Sequence, residues 1–419
     1  MSYGKHFSML GLLVLLILVG GWEARAQNTQ GQDGNGGQIN KVFVIAMENH
    51  NWTQPANQFS GPIQQVFQNP NAPFINSLVN GTAVATINGH QVTISQQVAY
   101  AANYYNVLAT ASGNNAHIHP SEPNYLWAEA GYNFRIGNDA DPFVPNGSTN
   151  QVNNQDNQLH LARLLTRAGK TWKSYQEDID LTTVNGQLTN VVLPSSQWTV
   201  PITSFSGNFA SGVNQFNAST QFNYAVKHNP MTFFTDTNGG DDPTTANPLS
   251  HQYAPLQQLL VDLANNTVAD YNWITPDQYN DMHTALTGGF MGLTGDAANI
   301  KQGDNFLSIV IPQIMASQAY KNNGAIILWW DESEADASGD NGDDLNHTVG
   351  EIVISPLAHA NVGGLPFASS VPLTHSSDLR TMQEIFNVTE PFFLGDAAHA
   401  NDLSSLFADG AIPPNQNQQ

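Results

Sequence analysis

Two short acidic segments, Met47-Glu48-Asn49-His50 and Trp330-Asp331-Glu332, each close an apolar run. The runs are Lys41 to Ala46 and Gly324 to Trp330. A carboxylate and an amide at the end of a buried strand can be aimed at one point, although an isolated Glu-Asn pair reads equally as a helix cap. Two such ends carry more weight, because carboxylates brought together require a proton or a cation between them. Oxygen donors of this kind suit a hard or borderline divalent ion. The segment His119-Pro120-Ser121-Glu122-Pro123-Asn124-Tyr125 sets a hydroxyl in a proline-flanked turn, ahead of a helix expected over Asn124 to Ala130. On its own Ser121 is a helix cap. As a nucleophile it needs a metal ion or a positive helix end to stabilise the alkoxide. Asp277, Asp281 and His283 share one short loop, and His228 and His375 lie in Lys227-His228-Asn229-Pro230 and Thr374-His375-Ser376-Ser377. The acidic loop from Asp336 to Asp344 lacks the spacing and terminal Glu of an EF-hand and reads as a solvated turn, with a structural calcium site as the other reading.

These residues need elements to hold them. Apolar runs at 41–46, 269–274, 324–330 and 351–356 are continuous rather than alternating, as in strands buried on both faces of a parallel sheet. Helical spacing appears at Leu161, Leu164, Leu165 and Ala168, where Gly169 stops it, and again at Leu256, Leu259, Leu260 and Leu263. Phe306, Ile309 and Val310 open a further helix, which Pro312 should kink or restart. Alternating strands and helices predict an α/β fold with a central, mostly parallel sheet flanked by helices. Ligands in such folds collect beyond the carboxyl ends of strands, where Glu48-Asn49, Asp277 and Asp331-Glu332 lie.

The chain has 419 residues, enough for one large domain, and 41% of them are hydrophobic. With 12 Lys and Arg against 34 Asp and Glu, the net charge of -22 argues against nucleic acid or anionic lipid as a partner. Cysteine is absent, which removes disulfides and thiolate chemistry. Lys5 and His6, the apolar run Met9 to Val19 and Ala24-Arg25-Ala26 describe a secretory signal peptide over residues 1–26, too short for a stable membrane anchor. The expected product is secreted or periplasmic, cut after Ala26. Residues 27–40 read as a flexible leader, 41–405 as the domain, about 138–222 as an inserted cap rich in Asn, Gln, Ser and Thr, and 406–419 as a disordered tail.

Seven segments between Val42 and Phe386 together resemble the phosphoesterase family of bacterial phospholipases C and acid phosphatases, in the alkaline-phosphatase superfamily. They are Met47 to His50, Pro120 to Tyr125, Ala168 to Tyr175, Lys227 to Pro230, Pro276 to His283, Trp330 to Glu332, and His375 to Thr381. The resemblance implies an alkaline-phosphatase-like fold. It implies that Glu48, Asn49, Asp331 and Glu332 hold a divalent ion (zinc, calcium, manganese or magnesium) beside the nucleophile Ser121. His228 and His283 would contact the phosphoryl group or protonate the leaving oxygen. Asp277, Asp281 and His375 would line a second metal position. The implied function is metal-dependent hydrolysis of a small-molecule or lipid phosphate ester through a phosphoseryl intermediate. The alternative is an inactive secreted protein that binds glycans or adheres through the same fold.

Overall fold

Seven consecutive residues from Gly324 to Trp330 are all buried, and they form the strand on which the architecture is centred. The computed structural model describes residues 37–54, 65–87, 89–106, 119–144, 150–333, 347–361, 363–389 and 392–413. The signal and most of the leader, together with the acidic loop 336–344, lie outside the described residues. Eight strands make one sheet: β1 (Lys41–Met47), β2 (Val98–Ala101), β3 (Trp172–Gln176), β4 (Tyr253–Pro255), β5 (Tyr271–Thr275), β6 (Gly324–Trp330), β7 (Glu351–Ile354) and β8 (Phe367–Ser369). Their spatial order is β4-β3-β5-β1-β6-β7-β2-β8. Pairings from β4 through to β6 are parallel, as is β2 with β8, while β7 runs antiparallel to β6 and β2. The mostly parallel α/β sheet expected from the continuous apolar runs is therefore present, with an antiparallel strand let into it.

Register does the positioning. Along the parallel β1/β6 pair, Val42 faces Ala325 and Met47 faces Trp330. The next residues are Glu48 and Asp331, so the two acidic ends emerge side by side. Burying a large apolar side chain stabilises by about 1.5–3 kcal/mol. Trp329, Trp330, Leu328, Phe43 and Ile45, all buried here, supply that several times over. Taking an ion out of water costs several kcal/mol, and this core is what can hold carboxylates together despite that cost.

Helix α1 (Pro73–Asn80) packs on α5 (Asp296–Ala316), and α2 (Ser121–Ala130) on α6 (His375–Ile385); α3 spans Leu161–Arg167 and α4 Gln257–Asn265. Helix α5 continues through Pro312 without the restart that was one of the two expectations there. Val310, Ile311, Ile314 and Met315, buried on both sides of the proline, carry it through. Every residue of α2 is buried, and at its end Gly131 takes the left-handed conformation with φ 65°. A Cβ there would lie 2.5 Å from the Leu394 carbonyl oxygen, so glycine is required.

Two expected boundaries move. The stretch 138–222 is not wholly an insertion, since β3 is a strand of the main sheet and α3 packs against it. What stands outside the sheet is a pair of antiparallel ribbons, Leu181–Val184 with Gln187–Val192 and Phe205–Asn208 with Gln221–Tyr224. Leu181, Phe209 and Phe222 give them a small apolar cluster of their own. The pieces of chain 406–413, expected as part of the tail, are packed: Phe407 and Ala411 are buried, and Ile39 N–H donates to the Ala411 carbonyl at 3.0 Å. Apolar residues spaced along a Pro- and Gly-containing segment conceal this docking from a composition reading. No helix among the described residues is long and apolar enough to cross a membrane.

Candidate active site

Ser121 opens α2, with Pro120 in extended conformation before it. Its Oγ lies 3.0 Å from Glu48 Oε2, 3.1 Å from Glu332 Oε1 and 3.5 Å from Asn49 Oδ1. Asp331 turns to the backbone, accepting from Asn49 N–H at 3.0 Å. Five of the expected residues thus meet at one point, two strand ends and a helix N-terminus converging. The Asn49 amide can face the cluster in two ways. With its nitrogen inward it donates to Glu48 Oε2 at 2.7 Å and Glu332 Oε1 at 3.3 Å. With its oxygen inward it completes a set of oxygen donors.

The next shell is supplied by residues that the sequence reading passed over. Asn124 donates to Glu332 Oε2 at 3.1 Å, Tyr125 O–H donates to Glu48 Oε1, and His119 Nδ1 lies 2.9 Å from Glu332 Oε1. Asn124 and Tyr125 stand three and four residues beyond Ser121, hence on its face of the helix, and that spacing was a usable signal. His228 stacks on Tyr125 with ring centroids 5.0 Å apart. Its Nε2 comes within 3.1 Å of Glu48 Oε1, and its Nδ1 within 3.3 Å of Asp281 Oδ2. Neither approach has hydrogen-bond alignment, and His228 Nε2, Asp281 Oδ2 and Asp331 Oδ2 are buried without hydrogen-bond partners among the described residues. The His283 ring lies 6.1 Å from that of His228, at the half-buried rim.

Burial, then the neighbouring Asp331 charge, pushes Glu48 well above the usual carboxylate range. Burial and Glu332 do the same to Asp331. Glu332 rises through burial, offset in part by Lys227. Burial, with Lys227, depresses His228 and brings His283 down to about 4. Carboxylates this crowded hold protons or a cation. The donor chemistry fits a divalent ion: ligand atoms of Glu48, His228 and Asp281 lie within 4.8 Å of one another, and the Asn49, Asp331 and Glu332 groups adjoin them. Such a nitrogen-and-oxygen set is one that zinc or manganese accepts.

The second metal position does not assemble from Asp277, Asp281 and His375. Asp281 joins Glu48 and His228 instead. Asp277 Oδ1 caps the Tyr279 and Asn280 amides at 3.1 and 2.9 Å, beside buried Glu177 and Asp178. His375 lies behind the site with both ring nitrogens engaged. Nδ1 receives Trp329 Nε1–H at 2.8 Å, so Nε2 carries the proton and donates to the Asp331 carbonyl at 2.6 Å. The role this geometry allows it is to brace the Asp331 backbone.

A profile of the phosphoesterase family matches residues 20–389. The chain belongs to the phosphoesterase family. Among curated relatives, the chain is 26% identical over 216 residues to an acid phosphatase of Aspergillus fumigatus, and 26% identical over 217 residues to a "Probable acid phosphatase" of Kluyveromyces lactis. Those alignments take in 51% and 52% of this chain but only 36% and 38% of the relatives' lengths. A solved protein of the alkaline phosphatase superfamily from Vibrio parahaemolyticus aligns over 90% of this chain and 72% of its own, with 10% identity and a TM-score of 0.43.

Proposed function

We propose that this phosphoesterase is an exported, metal-dependent phosphoric-ester hydrolase of the acid phosphatase or phospholipase C type, with Ser121 as nucleophile. The observation that carries the reading is Ser121 Oγ held at the start of α2 between the carboxylates of Glu48 and Glu332. Family membership and the acid phosphatase relatives support hydrolysis of a phosphate ester. Residues 1–26 support export.

The Ser121 hydroxyl has one proton, and a carboxylate oxygen of Glu48 or Glu332 is placed to take it as Oγ bonds to phosphorus. The ester P–O bond breaks in the same step, and the leaving oxygen needs a proton, for which His119, His228 and His283 are the imidazoles at the site. Water then attacks phosphorus, the Oγ–P bond breaks, and Oγ regains its proton. A divalent ion held by Glu48 with Asn49, Asp331 and Glu332, or with His228 and Asp281, would supply charge neutralisation for the alkoxide and phosphoryl oxygens. The α2 N-terminus adds a smaller share of positive potential.

The test is hydrolysis of p-nitrophenyl phosphate and bis(p-nitrophenyl) phosphate by the purified protein, with and without chelator. Ser121→Ala should lower turnover on the order of 10⁴-fold or more while leaving circular dichroism unchanged. Substantial residual hydrolysis removes Ser121 from the mechanism.

A further inference from the structure

The cation that weighs most on this site is Lys227. Its charge bears on Glu48, Glu332, Asp281, His228 and His283 alike. Other paired lysines and arginines among the described residues are committed elsewhere: Lys41 to Asp270, Arg163 to Asp236, Lys173 to Asp262, Lys301 to Asp304 and Arg380 to Glu384. Lys227 Nζ lies 2.8 Å from Asp139 Oδ2. The other oxygen of that carboxylate, Oδ1, accepts the Glu122 backbone N–H at 3.1 Å. One carboxylate therefore ties the ammonium to the residue following the nucleophile. The lysine side chain is 14% exposed and Asp139 33% exposed, so the pair stands at the rim rather than in the core.

Glu48, Asp281, Asp331 and Glu332 crowd the site. A phosphate monoester dianion entering among these carboxylates calls for more cationic charge than one buried ion alone supplies to a monoanion. A diester monoanion calls for less. An ammonium is a point charge that suits a phosphoryl oxygen. Asp139, itself an anion bridging Lys227 and a helix-terminal amide, occupies the contacts that such an oxygen would make.

Building on the hydrolase reading above, we propose that Lys227 binds a non-bridging oxygen of the phosphoryl group in exchange for Asp139, and that this exchange favours phosphomonoesters over diesters. Asp139 keeps the ammonium in place while no substrate is bound and competes with phosphate for it.

The experiment measures inorganic phosphate binding to the metal-loaded protein by calorimetry, together with kcat/KM for the mono- and diester probes. Lys227→Met should weaken phosphate binding at least 30-fold and cut monoester kcat/KM about 100-fold, with a loss under 10-fold on the diester. Lys227→Arg should restore part of the phosphate affinity. Asp139→Asn retains an acceptor for the Glu122 amide but removes the competing charge, and should tighten phosphate several-fold, a gain that misfolding cannot produce. Equal losses on both esters, or unchanged phosphate affinity in Lys227→Met, overturn the proposal while the hydrolase reading stands. Phosphate binding that depends on Lys227 in a protein that turns over neither ester upholds the contact with phosphate and sinks the hydrolase reading.

Discussion

Ser121 Oγ can give its single proton to only one of the two carboxylates beside it, so under the proposed mechanism the protonation of Glu48 and Glu332 decides how ready the hydroxyl is to attack. Tyr125 biases that choice by donating to Glu48 Oε1. A hydrogen bond to a charged group is worth about 1.5–3 kcal/mol, and Tyr125→Phe should lower kcat/KM by about 10- to 100-fold with little change in metal content. Glu48→Gln behaves differently, because this carboxylate sits in both candidate donor sets. Metal content and activity should fall together, as read by elemental analysis alongside the phosphatase assay, and full metal occupancy in the variant would exclude Glu48 as a ligand. How much of the site could be read from the chain is visible in these residues. Glu48, Asn49, Asp331 and Glu332 were legible because they close continuous apolar runs. Lys227 and Asp139 were not, because what brings them together is folding between positions 88 residues apart in sequence. Asp277 and His375 were read into the wrong company, since neither loop path nor packing behind β6 is encoded in local pattern.

Helix α2 links the site to a second buried charge network. Near its far end Glu129 accepts the Ala162 amide N–H at 2.6 Å and lies 2.8 Å from His160 Nδ1, while His160 Nε2 lies 2.9 Å from Asp236 Oδ1. Burial alone would depress His160, but the bonds to Asp236 and Glu129 outweigh it and its pKa is raised. A raised imidazole pKa contributes stability that is fully present below the unfolded value of about 6.5 and is lost as pH rises through the folded value. Urea midpoints for the wild type should therefore fall from pH 6 upward relative to His160→Gln, and parallel curves would refute the linkage. Removing one member of a buried charged pair costs about 3–5 kcal/mol, so His160→Ala should be strongly destabilised at pH 6. At the same helix end, Gly131→Ala meets both a positive φ and the Leu394 carbonyl. It should lose more than about 1 kcal/mol in urea unfolding. The helices show the same division between legible and hidden: α3 and its Gly169 stop followed from leucine spacing, whereas the continuity of α5 through Pro312 depends on burial that only the assembled core provides.

For the molecule as a whole, the first strand and the final segment are joined, Ile39 to Ala411, with Phe407 buried near the same end of the chain. Truncation after residue 405 should lower the melting temperature by several degrees, as scanning calorimetry would register; an unchanged transition would return this segment to the status of a tail. Strands β1 and β6 were readable because they are apolar on both faces, whereas β3, with Lys173, Ser174 and Gln176, was not. The antiparallel insertion of β7 was not, since Glu351 to Ile354 carries no mark of direction. That arrangement also places the partners of Ser121 far apart along the polypeptide: Glu48 is contributed by the first sheet strand and Glu332 follows the sixth. A ribosome must therefore extrude some four-fifths of the protein before the serine has both neighbours. On the proposed hydrolase reading, a growing polypeptide that has not yet passed Glu332 has no means to cleave an ester, which ties the onset of turnover to closure of the sheet.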